Sequence, residues 1–154
     1  MSNTGYEALY NERILGLAGG LKKDDRLSEP QGTAQVDSPL CGSRIRVDVV
    51  LDRDGRVAEF GQQVRACALG QSSAAILKAH VLGCDRAELA GVLDAVEAML
   101  KRDGEPPTGK WADLAVLQPA KTHKSRHASI LLPFRAVVQA MDTVLAARQG
   151  AKNA

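Results

Sequence analysis

Three cysteines and three histidines are the leading candidates here for binding a transition metal or acting as nucleophiles. Cys41 lies in Ser38-Pro39-Leu40-Cys41-Gly42-Ser43, where proline and glycine make a fixed, exposed loop. Cys67 lies in Ala66-Cys67-Ala68-Leu69-Gly70-Gln71-Ser72-Ser73, a few residues ahead of a helix cap expected at Ser72. A thiol beside a helix N-terminus faces the positive end of the helix dipole. Thiolate is the form that ligates metal or accepts sulfur. The alternative for any single cysteine is a small buried hydrophobe. Cys84, in Leu82-Gly83-Cys84-Asp85, falls in a turn between helices and reads as structural. His80 sits within a helix as an ordinary surface or core residue. His123 and His127, in Lys121-Thr122-His123-Lys124-Ser125-Arg126-His127, lie just ahead of the last helix and are either ligands or solvated. The basic residues of that run form a solvated face or a docking patch for an acidic partner. Cys67 and His127 could pair as nucleophile and base, but no orienting carboxylate or oxyanion loop accompanies them.

The elements that must position these residues follow from hydrophobic period. Ile45, Val47, Val49 and Leu51 alternate with Arg44, Arg46 and Asp48, which predicts a strand with one polar face. Asp52-Arg53-Asp54-Gly55 is a hairpin turn, and residues 56–64 return as a second strand. An antiparallel hairpin brings its outer ends together, so Cys41 and Cys67 are expected close in space. Residues 33–36 supply a third strand. Residues 6–21 read as a helix ended by Gly19 and Gly20, and residues 22–31, with Pro30, as a mobile polar connection. Ser72 is expected to cap a helix running to Leu82. Asp85 and Glu88 form a capping box for the next. Residues 111–117 make a short helix. A long apolar stripe marks a last helix over 129–147, with Pro133 in or near its first turn. The predicted class is α+β, a small antiparallel three-stranded sheet packed against several helices. One domain is expected over residues 1–154, with 1–31 as an N-terminal helix and connection.

Composition narrows the function. The chain has 154 residues, 45% hydrophobic and 25% charged, which is ordinary globular usage. Its net charge is +2, from 20 basic and 18 acidic residues, too little for a dedicated binder of nucleic acid or anionic membrane. Aromatics at 3% exclude a base-stacking platform. No basic segment leads into an apolar one at the start, and no run reaches the roughly 20 apolar residues of a membrane helix. An odd number of thiols then predicts a cytoplasmic protein. No glycine-rich phosphate loop is present.

Two segments carry a resemblance. Gly32-Thr33-Ala34-Gln35-Val36-Asp37-Ser38-Pro39-Leu40-Cys41-Gly42-Ser43, a hairpin, and then Ala66-Cys67-Ala68-Leu69-Gly70-Gln71-Ser72-Ser73-Ala74 resemble the iron–sulfur cluster assembly scaffolds of the IscU/SufU/NifU N-terminal group. The resemblance covers about residues 32–147. It implies a small α+β carrier, not an enzyme, that receives sulfur from a cysteine desulfurase and passes a cluster to recipient apo-proteins. It implies Cys67 and Cys41 as sulfur-accepting thiols and as metal ligands. Ser43 stands where the family usually has a ligating aspartate, and His127 stands where a third cysteine is expected. Histidine can replace thiolate on zinc or on one iron of a [2Fe–2S] cluster. The implied set is therefore Cys41, Cys67 and His127, with Ser43, His123, water or a partner residue in fourth place. The cofactor implied is a [2Fe–2S] cluster or zinc, in a monomer or weak dimer with no nucleic acid or membrane partner. The alternatives are a zinc-binding sulfurtransferase partner on the same fold, and an interaction module that has lost its metal.

Overall fold

The computed structural model of the chain describes residues 10–40 and 42–153. Helix α1, Glu12–Gly19, is capped by Asn11, whose side chain accepts the Ile14 amide. The part of the predicted first helix before residue 10 lies outside the described residues. Four strands follow: β1 Asp24–Asp25, β2 Gly32–Ser38, β3 Ser43–Leu51 and β4 Val57–Arg65. They form one antiparallel sheet in the order β1-β4-β3-β2. Then come α2 Ala68–His80, α3 Arg86–Lys101, the 3-10 segments Gly109–Thr122 and Lys124–Arg126, and α4 His127–Asn153.

The hairpin of β3 and β4 matches its prediction. The Asp52 carboxylate accepts the Asp54 and Arg56 amides, which holds the turn. Ile45, Val47, Val49 and Leu51 point inward and are buried. Helix α4 lies across β2 and β3, and α2 and α3 pack against it. Phe134, Val137, Met141 and Val144 of α4 join these strand residues in a continuous hydrophobic core. By length and composition Lys124–Ala151 would suffice to cross a bilayer. Here 61% of its most apolar window is buried inside the fold, so core packing accounts for its apolarity.

The sheet has four strands where three are expected. The added strand is β1, in the segment read as a mobile connection; Asp24 pairs with Gln63 and Asp25 with Gln62. Two residues are too few to leave a period in the sequence. The segment is held instead by Asp48, which is fully buried although it falls on the nominally polar face of β3. Arg26 donates to both Asp48 oxygens, at 3.0 and 2.8 Å. The Leu27 amide donates at 3.1 Å and the Thr33 hydroxyl at 2.6 Å. Burial alone would push this carboxyl up. Arg26, Thr33 and the Leu27 amide outweigh that and hold it below the usual carboxylate range.

Two further expectations shift. Ser72 does not cap α2, which starts a turn earlier: its hydroxyl lies inside the helix and is shared between Ile14 O of α1 and Ala68 O, each at 2.8 Å. The last helix starts at His127, so Pro133 is an interior residue, with no amide hydrogen to give the Ser129 carbonyl four residues back. The Asp85 cap holds, accepting the Glu88 amide at 2.8 Å. The Glu88 carboxylate turns away from it to take the Trp111 indole N–H at 3.0 Å.

Because the folded Asp48 carboxyl lies below its unfolded value, its contribution is present above about pH 4 and lost as the pH falls through its folded value. Arg26→Ala strands a buried carboxylate and should cost about 3 kcal/mol at neutral pH. Without its counterion Asp48 titrates higher in the folded state, so the deficit should shrink between pH 7 and pH 4. Urea unfolding of both proteins across that range checks both statements.

Candidate functional site

The site is built at one end of the sheet. The ladder of β2 and β3 ends at the pair Ser38 and Ser43, and the Gly42 amide donates to Ser38 O at 2.9 Å. Gly42 has φ +70°, a conformation that favours glycine. Cys41 lies outside the described residues. On the neighbouring edge β3 and β4 are in register as Arg44 with Arg65. The chain then leaves β4 through Ala66 and enters α2 with Cys67 as its N-cap, in extended conformation. Cys67 is half-buried.

One residue closes the arrangement. Ser129, in the first turn of α4, places its Oγ 3.2 Å from Ser43 Oγ and 3.5 Å from Cys67 Sγ. Ser43 and Ser129 are buried. A hydroxyl at this distance from sulfur can donate to a thiolate, while the amides of the first turn of α2 lie unpaired within the helix at the same end. Gly70 makes the approach possible. A Cβ there would lie 2.4 Å from Ser129 Oγ, 2.8 Å from Ala66 Cβ and 3.1 Å from Ser129 O. Beside this group is a cleft of about 330 Å³ lined by Asp37, Ser43, Arg44 and Arg65 among others. Arg44 donates to Asp37 at 2.6 Å and holds that carboxyl below its ordinary range.

The remaining candidates sit elsewhere. His127 Nε2 is 2.9 Å from Ala120 O and 3.2 Å from Lys121 O. A carbonyl only accepts, so Nε2 is the donor, and in the neutral ring this leaves the Nδ1 lone pair for a ligand. His127 and Ser129 are two residues apart on a helix and do not face the same way. The structure joins Ser43, Ser129 and Cys67, and His127 lines a neighbouring groove with Leu40. His123 is half-buried, with Nδ1 3.1 Å from the Thr122 hydroxyl. Among the described residues no three His, Cys, Asp or Glu side chains cluster as a metal site. Cys84 is fully buried, 3.2 Å from His80 O and 3.1 Å from Lys110 Nζ. Burial pushes its thiol up despite the lysine. His80 packs edge-on to Trp111. Ser129 was missed by sequence reasoning; it is 86 residues from Ser43, and no local spacing marks it.

No protein-family model matches the chain, and no curated protein matches it. Solved structures do. A nitrogen-fixing NifU-like protein (N-terminal) from Brucella abortus is 39% identical, with a TM-score of 0.88 over 93% of this chain and 99% of that one. The chain belongs to the NifU-like family. A candidate iron–sulfur cluster assembly scaffold for the SUF system, from Fervidobacterium islandicum AW-1, superposes with a TM-score of 0.78 over 88% of this NifU-like chain and 98% of its own. At 16% identity it shows the shared fold alone.

The Gly70 contact gives a test of the closure. Alanine gains about 1 kcal/mol over glycine in a helix. Here its methyl meets Ser129 and Ala66, and overpacking of that kind costs about 1–3 kcal/mol. Gly70→Ala should therefore be destabilising on balance, read as a lower urea midpoint at unchanged slope. Ser129→Ala in the same background should recover part of the loss.

Proposed function

We propose that this chain is an iron–sulfur cluster assembly scaffold that accepts sulfur at Cys67 and Cys41 from a cysteine desulfurase. The observation that carries the reading is the seat of Cys67. It caps α2 at the end of the β3–β4 hairpin and is held against Ser43 through Ser129, in a chain 39% identical to a NifU-like domain. In the transfer step the Cys67 thiolate attacks the outer sulfur of a persulfide on the desulfurase. A new S–S bond forms to Cys67 Sγ, the S–S bond on the donor breaks, and the donor cysteine leaves as thiolate. The sulfane sulfur keeps its proton, and nothing is oxidised or reduced overall. Ser129 Oγ is placed to hydrogen-bond the attacking sulfur. Such a scaffold holds and hands on its cargo and is not an enzyme.

Cys41 and Cys67 are the proposed thiolate donors, His127 through Nδ1 the third, and Ser43 or His123 the candidates for a fourth. The recipients would be apo-proteins, in the cytoplasm, with the scaffold a monomer or weak dimer. One observation favours a second reading, a zinc-binding sulfurtransferase partner. The His127 Nε2–H to carbonyl bond is the outer-shell support that zinc-bound imidazoles use.

Protein purified without oxygen should contain iron with matching sulfide and absorb visible light. Cys67→Ala should lower both by about tenfold or more. Zinc at about one per chain without colour would replace the cluster by the zinc reading. Neither metal, in wild type and Cys67→Ala alike, would overturn both. His127→Ala, assayed in parallel, decides whether that side chain belongs to the ligand set.

A further inference from the structure

A groove of about 600 Å³ runs beside the site, between the turn after β2, the end of α3 and the start of α4. Its apolar part is Leu40, Leu100 and Ala128, and its polar part includes Lys101, Lys121 and Lys124. Leu40 is 88% exposed, against 53% and 59% for Leu15 and Leu82, the other exposed large hydrophobics among the described residues. A large apolar side chain held this far out in a turn gains nothing from burial in the free protein. The three lysines are exposed. One carboxylate, Asp103, shares the groove and lies 3.4 Å from Lys121. Both partners of that pair are solvated, so it is weak and easily exchanged. The lining therefore carries an excess of positive charge around an apolar strip.

We propose that this groove is the docking site for an acidic segment of a partner protein. The segment would place a large apolar side chain against Leu40 and Leu100 and its carboxylates on Lys101, Lys121 and Lys124. Charge complementarity selects this occupant over a basic or neutral one and raises its rate of encounter. Leu40 is the residue before Cys41, so a segment seated here is held next in the chain to a thiol proposed to accept sulfur. The inference rests on the scaffold reading for the purpose of docking, but the binding itself needs no cargo.

The test uses metal-free, full-length protein and a fluorescein-labelled peptide rich in Glu and Asp with one central leucine. Saturable binding is expected, weakened about tenfold or more by Lys121→Glu with Lys124→Glu and by Leu40→Ser. Amide shifts in the wild-type NMR spectrum should gather on residues 40, 101, 121, 124 and 128. Affinity should fall steeply with salt, and replacing the peptide carboxylates by amides should abolish it. Both variants change exposed side chains, and circular dichroism confirms their folding. No saturable binding, equal binding by the amide peptide, or affinity unchanged in both variants would overturn the proposal. So would a concentration-dependent dimer in sedimentation that the same variants abolish, because the groove would then serve a second copy of the chain. Metal and sulfide content of the variants separates the two readings. Loss of peptide binding with full cargo overturns nothing in the scaffold assignment, and peptide binding by protein that never loads cargo leaves the groove standing alone.

Discussion

The crossing of α2 over α4 at Gly70 and Ser129 is the contact on which the site depends. Only hydrogen at Gly70 lets Ser129 come close enough to touch Ser43 on one side and Cys67 on the other. Three elements far apart in the chain, the start of β3, the N-terminus of α2 and the first turn of α4, thereby meet at one serine. Ser73 repeats the link one turn along α2, its hydroxyl donating to Ile130 O at 2.6 Å. Pro133 belongs to the same region. It has no amide hydrogen for the Ser129 carbonyl, a loss of about 3 kcal/mol in an isolated helix interior. Burial of Ile130, Leu131, Phe134 and Val137 in the core offsets it.

A second constraint acts at Asp48, midway along the inner strand β3. Asp48 is a buried charge whose two oxygens are satisfied by Arg26, Thr33 and the Leu27 amide. The carboxylate gathers β2, β3 and the segment after α1, and so fixes β1 on β4. Lys78 of α2 adds a bond to Asp25 at 2.8 Å, which ties that helix to β1. Helix α2 is thus anchored by its lysine at one end and by Ser129 near the other, and Cys67 rides on a helix fixed at both.

These two constraints explain what could be read from the sequence. The β3–β4 hairpin, its Asp-Gly turn, the Asp85 cap and the stripe of α4 are local or periodic, and each stands where the spacing placed it. The hairpin also brings the start of β3 and the chain after β4 to one end of the sheet, where Ser129 bridges Ser43 and Cys67; the expected approach of Cys41 to Cys67 lies outside the described residues. Asp48 alternates with valines as any solvent-facing residue would, so its burial and the strand it organises left no mark. Ser72 carried the chemistry of a cap, but its hydroxyl is shared between a carbonyl of α1 and one of α2. His127 adjoined a helix start in the right chemical class; its direction depended on the 3-10 segment folding back to present Ala120 O, which no nearby spacing encodes. Ser129 is a serine in an apolar helix, marked by nothing but the glycine opposite.

The fold has a continuous apolar core of its own, and that bears on what a scaffold of the proposed kind needs. Small metal domains without a sufficient core are unfolded until metal arrives. Here the sheet face, α2, α3 and α4 close a continuous apolar cluster of buried residues, and Cys67, half-buried, packs against its margin. At the site itself, the resemblance places a carboxylate where this chain has Ser43. A buried carboxylate without a cation would cost several kcal/mol and would make the empty site depend on its cargo. A buried hydroxyl bonded to Ser129 carries no such penalty. On the proposed reading, serine would lower the cost of the empty state, and with it the grip on a cation. A scaffold of the proposed kind would have to load, hold and give up its cargo while staying folded, and the pairing of Ser43 with Ser129 is where this chain would set that balance.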